Sequence, residues 1–164
     1  MGQGGGFEEA HPAALDDPSS ILTYVRVVGA NVAQAVDAWG RRLGRTLGPD
    51  ALEPLTWALA EGGFAIDALS LLQSVSAGEA YTRRVESWWQ EDGWDLLLTP
   101  TTATTAFTAE GPPPLEIDGR SVGGMGSVPF TAPFNMSGMP GVSIPVGLAS
   151  DGLPVGLQVV TRRH

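Results

Sequence analysis

The apolar residues change their period once along this chain, at Gly93, and that change limits the folds open to it. Before it, Leu22, Val25, Val28, Val32, Val36, Trp39, Leu43 and Leu47 recur at spacings of three or four, which draws one stripe on a helix. After it, short apolar runs without helical period alternate with Pro and Gly, which reads as strands and loops. The sequence therefore predicts an α/β or α+β chain, mainly helical over 1–93 and built of strands and loops over 94–164. No internal repeat is found.

The first helix is expected from the Asp16-Asp17-Pro18 start signal to about Leu47, with Gly48-Pro49 as its stop. Gly29, Gly40 and Gly44 each cost it roughly 1 kcal/mol relative to Ala, so packing offsets them or the helix breaks near Gly40. Asp50 is read as the cap of a short second helix to Glu61, stopped by Gly62-Gly63. A third helix is expected from about Ala65 to Glu91, weakest at Gly78. Phe7 to Pro12 reads as a short edge strand, and the first six residues as a mobile Gly-rich end. Trp94–Thr99 reads as a buried strand stopped by Pro100. Thr101–Gly126 reads as a loop region with a hairpin turn at Asp118-Gly119. Ser127–Ser137 reads as a short helix. Two further strands are expected at Gly141–Val146 and Val155–Val160, turned at Ser150-Asp151-Gly152. Pro145 requires an edge, a bulge or an unpaired position.

Composition removes several chemistries. All nine basic residues are Arg, against eighteen acidic ones, for a net charge of −9. Binding to nucleic acid or an anionic membrane rests on phosphate neutralisation, so neither is expected as a partner. No lysine means no Schiff base, no P-loop clamp and no Ser–Lys catalysis within these 164 residues. No cysteine means no disulfide, no thiol nucleophile and no thiolate metal site. The start carries no secretion signal and no stretch is long enough to span a membrane, so a cytoplasmic location is expected.

No complete catalytic constellation is legible residue by residue. The histidines, His11 and His164, lie near opposite ends, and no serine sits in G-x-S-x-G. Both histidines read as solvated terminal residues. Glu8-Glu9 and Glu91-Asp92 are adjacent pairs whose side chains diverge, so no metal site is expected. The Gly123–Ser127 run reads as a flexible connector in preference to an anion cradle. Trp88, Trp89 and Trp94 read as the end of a helix packed on the strand that follows.

Three later segments carry a resemblance. Trp94-Asp-Leu-Leu-Leu-Thr-Pro-Thr101 resembles the "y-D-x-L-L-T-P-T" strand of the amidase signature family. Phe130 to Gly147 is similar to that family's "F-T-x-x-x-N-x-x-G-x-P-x-x-S-x-P-x-G" segment, and Asp151–Val160 to its "G-L-P-x-G-x-Q" hairpin. They occur in the family's order with near-natural spacing. Glu8–Pro12 resembles the strand end that precedes the family's C-terminal helices.

The resemblance implies hydrolysis of a carboxamide C–N bond through an acyl-enzyme, without a cofactor. In the family a serine attacks, a second serine on a cis peptide relays its proton to a lysine, and Gly-rich backbone N–H groups hold the oxyanion. The Gly/Ser-rich nucleophile segment has no match here, so no catalytic residue is carried over. The chain is thus expected to be a single incomplete domain, 1–164, the C-terminal part of an amidase-signature fold. It would be inactive alone, its parent acting on a small-molecule amide. Alternatively it is a non-catalytic module that completes a split amidase supplied by another chain, or resembles the A-subunit of an amidotransferase. The partner expected is a complementing chain or a homo-oligomer. Thr101 and Asn135 are candidates for the substrate pocket. Their alternatives are a strand-end residue capping backbone groups and a buried amide tying a loop together.

Overall fold

The computed structural model describes residues 6–111, 113–122 and 126–163. The chain divides into two compact units: Asp17–Arg83, and the remainder, which joins the segment before Asp17 to everything from Arg84 onward. Each is described by itself.

The unit Asp17–Arg83 is helical. Helix α1 spans Ser19–Leu43, α2 spans Pro54–Phe64, and α3 begins at Ala68 and continues to Asp92 in the other unit. Helix α1 starts where the acidic residues and Pro18 predict: the Asp17 carboxylate accepts from the Ser19 N–H at 3.0 Å. It ends four residues before the expected Leu47. Gly44 takes a left-handed φ of 66° and closes the helix as its C-cap, a conformation that Gly adopts without a Cβ clash.

The face that α1 buries also differs from the expected stripe. Leu22, Trp39 and Leu43 are each more than half exposed. The buried positions are Gly29, Ala33, Val36 and Gly40, a seam of small residues at spacings of four, three and four. The reason is close approach of backbones. A Cβ placed on Gly63 of α2 would stand 2.0 Å from the Gly29 carbonyl oxygen, and one on Gly29 would stand 3.0 Å from the Leu59 carbonyl oxygen. Of the glycines that propensity marks as weak points, Gly29 is where α1 meets α2, Gly40 lets the chain after the helix fold back with a Cβ there only 2.9 Å from the Arg45 carbonyl oxygen, and the helix passes Gly40 unbroken.

Two more helix starts depart from expectation. Asp50 lies in a 3₁₀ turn, Pro49–Ala51, and α2 opens at Pro54, whose missing N–H costs nothing in a first turn. Gly62 and Gly63 lie inside α2 instead of stopping it. Helix α3 opens after Asp67, three residues later than expected. The Asp67 carboxylate accepts from the Ser70 N–H at 2.9 Å and from the Ser70 hydroxyl at 2.6 Å. These bonds favour the charged carboxylate and hold its pKa below the ordinary value.

The other unit is built on a three-stranded sheet in the order β1-β5-β4. Strand β1 is Leu97–Pro100, β4 is Gly141–Leu148 and β5 is Pro154–Val160, and both pairings are antiparallel. Pro100 is the last residue of β1 instead of lying just past its end, and Trp94, Asp95 and Leu96 lie outside it. Because β1 is an edge strand, its proline is tolerated. Pro145 lies on the other edge strand, beside a register shift between Pro145 and Gly147, which meets two of its three allowed situations. A separate small hairpin, β2 (Glu116–Ile117) and β3 (Arg120–Ser121), turns at Asp118 and Gly119. The hairpin turn falls where it is expected, and the φ values of the two residues, 51° and 69°, are those of a type I′ turn. Helix α4 is Ala132–Ser137, with Pro133 in its first turn and Gly138 left-handed at its C-cap; the expected start at Ser127 is five residues early, since Pro129 and Pro133 bar a longer helix.

Phe7–Pro12 forms no strand; a 3₁₀ turn, Ala13–Asp16, follows it. The buried apolar residues of this unit include Val85, Trp89, Leu97, Phe134, Met139 and Val160. Trp88 meets Trp89 edge to face at 4.8 Å and stacks on Trp94 at 5.6 Å, so the end of α3 packs on the segment leading to β1.

Candidate functional site around Thr101

Thr101 follows β1 directly, where the strand leaves the sheet. Its N–H donates to the Gly156 carbonyl at 3.0 Å, extending the β1–β5 pairing by one residue. Its hydroxyl lies 2.7 Å from the Ser143 hydroxyl on β4. The two side chains meet across β5 only because Gly156 lies between them. A Cβ there would stand 2.7 Å from both hydroxyl oxygens. The alternative of Thr101 capping backbone groups with its side chain is not what the geometry has: the hydroxyl is spent on another side chain.

Beside this pair, Thr102–Thr105 and Pro154–Gly156 line a shallow pocket of about 200 Å³. The Thr105 hydroxyl donates to the Asp151 carboxylate at 3.1 Å, and the other Asp151 oxygen accepts from the Leu153 N–H at 3.0 Å. The pocket wall therefore combines three threonines with Ala103, Pro154, Val155 and Gly156, and the Asp151 carboxylate holds one of those threonines. Such a wall can orient a polar ligand by hydrogen bonds; its lining holds no histidine or lysine to activate a nucleophile.

Asn135 lies on α4 and is exposed. It shares no hydrogen bond with Thr101. The buried amide that ties a loop down is another residue, Gln158. It is 7% exposed, and its side-chain N–H groups donate to the Thr99 hydroxyl at 3.0 Å and the Phe130 carbonyl at 2.7 Å. This links β5 to β1 and to the segment before α4. Gln158, Ser143 and Gly156 all belong to the motifs read from the sequence, and their motif positions were the available signal. Periodicity does not distinguish a buried Gln from a solvated one.

His11 is exposed and lies 3.0 Å from Asp16. His164, the start of the Gly-rich end, and Gly123–Met125 of the Gly-rich run lie outside the described residues. Among the described residues no group of three or more His, Asp or Glu side chains is placed to hold a metal, and no single helix is long and apolar enough to cross a membrane.

An antiparallel sheet carrying the T-P-T strand, the S-x-P strand and the G-L-P-x-G-x-Q hairpin, after a run of helices, defines a class. A family profile described as Amidase matches residues 7–164, and the chain belongs to that family. In particular, it is 32% identical over 162 residues to the 6-aminohexanoate-cyclic-dimer hydrolase of Pseudomonas sp. (strain NK87), covering 93% of this chain and 32% of that protein. Over 68 residues it is 47% identical to the A-subunit of the glutamyl-tRNA(Gln) amidotransferase of Bartonella bacilliformis, covering 42% of this chain and 13% of that one. A solved structure of 6-aminohexanoate cyclic dimer hydrolase with its substrate superposes with a TM-score of 0.78 at 30% identity, over 94% of this chain and 33% of the other. The chain thus spans about a third of the length of the hydrolases it matches.

Proposed function

We propose that these 164 residues supply the C-terminal framework of an amidase whose whole protein cleaves a carboxamide C–N bond through a serine acyl-enzyme, and that the chain by itself does not turn over. The observation that carries this is a family match over residues 7–164 of a sequence that holds no lysine. A lysine is needed in that chemistry as a neutral amine to take the serine's proton, and arginine stays protonated and cannot replace it. In this reading Thr101 and Asn135 face a small-molecule amide, and the hydroxyl-lined pocket beside Thr101 orients it. The test is to purify the chain and measure ammonia or amine release from a panel of simple and cyclic amides. No release above background is expected; turnover abolished by a serine-directed inhibitor refutes the inactivity.

The likeness of 68 residues to the amidotransferase A-subunit supports a second reading, in which the chain completes an assembly with another polypeptide. Co-purification with a chain carrying a Gly/Ser-rich segment and a lysine supports it; a stable monomer that gains no partner counts against it.

A further inference from the structure

Within the helical unit, the end of α1, the chain that follows it and α2 border a groove of about 600 Å³. Small-molecule sites span about 300–1,000 Å³. Val36, Leu47, Trp57 and Phe64 give the groove apolar and aromatic walls. Its charged lining is Asp37, Arg41 and Arg45: two guanidinium groups against one carboxylate, which leaves one positive charge.

The cations here are not equally engaged. Arg41 pairs with Asp37, one helical turn before it. The neighbouring Arg42 lies over the Trp39 ring at 5.2 Å. Among the described residues, the Arg45 side chain has neither an ion pair nor a hydrogen bond. A helix C-terminus by itself repels an anion. At this one the Gly40 carbonyl accepts from the Arg45 N–H at 3.1 Å and the Arg41 carbonyl from the Gly44 N–H at 3.3 Å, so both carbonyls are already occupied.

We propose that this groove binds a small monocarboxylate with an apolar or aromatic body. Arg45 holds the carboxylate, since its planar fork can give two parallel N–H bonds to it. Trp57 and Phe64 cover the body, which removes apolar surface on both sides from water. The charge balance sets the ligand class. One unpaired guanidinium matches one negative charge, so a phosphate dianion is left half compensated. An amine meets Asp37, the lining carboxylate, already paired with Arg41.

The test titrates the full 164-residue chain with 4-phenylbutyrate, its amide 4-phenylbutyramide, 4-phenylbutylamine and inorganic phosphate. Nitrogen-15 NMR reads the amides of Gly44, Arg45, Thr46 and Leu47 and the indole N–H of Trp57. The carboxylate is expected to shift them saturably, the neutral amide to bind about tenfold more weakly, and the amine and phosphate to leave them in place. Arg45 is exposed, so Arg45→Gln should keep the melting temperature while carboxylate affinity falls to that of the amide and amide affinity stays. Phe64, 53% exposed, is the converse: Phe64→Ala should weaken carboxylate and amide alike. If that variant does not fold, Phe64→Leu should weaken both by a smaller factor. Shifts that never saturate, equal affinity for carboxylate and amide, or full carboxylate affinity in Arg45→Gln overturns the proposal. So do shifts of the same amides on dilution of the ligand-free chain, which would give the groove to a second copy.

Discussion

The crossing of α1 and α2 sets two physical effects against each other at one residue, Gly63. Gly in a helix costs roughly 1 kcal/mol relative to Ala, so propensity alone makes Gly63→Ala stabilising. The structure predicts the opposite sign. A Cβ at 63 would stand 2.0 Å from the Gly29 carbonyl oxygen, 2.3 Å from its carbonyl carbon and 2.8 Å from the Ala30 nitrogen. All three are backbone atoms of a helix interior and have no rotamer to change. Restoring ordinary contact means moving one helix by more than 1 Å, which opens gaps along the seam at Ala33 and Val36. Overpacking of this kind costs about 1–3 kcal/mol, occasionally more. The net expectation is destabilisation by about 1–2 kcal/mol once the propensity gain is subtracted. The neighbouring Gly62 is the control. It lies in the same helix with nothing within 4 Å of its would-be Cβ, so Gly62→Ala should stabilise by about 0.5–1 kcal/mol. Urea unfolding of the parent and both variants, followed by far-ultraviolet circular dichroism, measures the two shifts. If Gly63→Ala shifts the midpoint upward as Gly62→Ala does, the close crossing is wrong.

Three further outcomes are expected. Gln158→Leu removes the donor to the Phe130 carbonyl and to the Thr99 hydroxyl, which still donates to the Pro100 carbonyl; the carbonyl left unpaired costs about 1–3 kcal/mol, and a variant that unfolds at the parent's urea midpoint refutes the buried link. Gly156→Ala pushes a methyl against the Thr101 and Ser143 hydroxyls and should break their hydrogen bond, read as faster amide exchange at Thr101, whereas Ser143→Ala should lose the bond without strain. Asp67→Ala should lower the melting temperature near neutral pH. Because the folded-state pKa of Asp67 lies below its unfolded value, its contribution is present above the unfolded pKa and is lost as pH falls through the folded one. The gap between parent and variant should therefore close in acid, and a gap that persists there refutes the charged cap.

The motifs made the strands legible because strand–turn grammar is local. Asp118-Gly119 could take positive φ by residue type alone, and Pro145 announced an irregular edge. The three late segments carry the family's motifs in residues whose spacing is a property of the chain. Helix boundaries were legible to within a few residues. The Asp67 cap is not legible locally, because Asp67 differs from other acidic residues only in where the Ser70 N–H falls.

What a sequence determines is its own periodicity, its turn chemistry and the list of groups it does not own, here lysine and cysteine. Tertiary structure alone decided which helical face is buried. The larger apolar stripe of α1 stays partly in solvent, while glycines and an alanine take the crossing, because two backbones approach closely only where side chains are small. It alone decided the site's polar arrangement too. Thr101 and Ser143 are 42 residues apart in the chain and 2.7 Å apart in space, joined by a sheet register that no local pattern encodes.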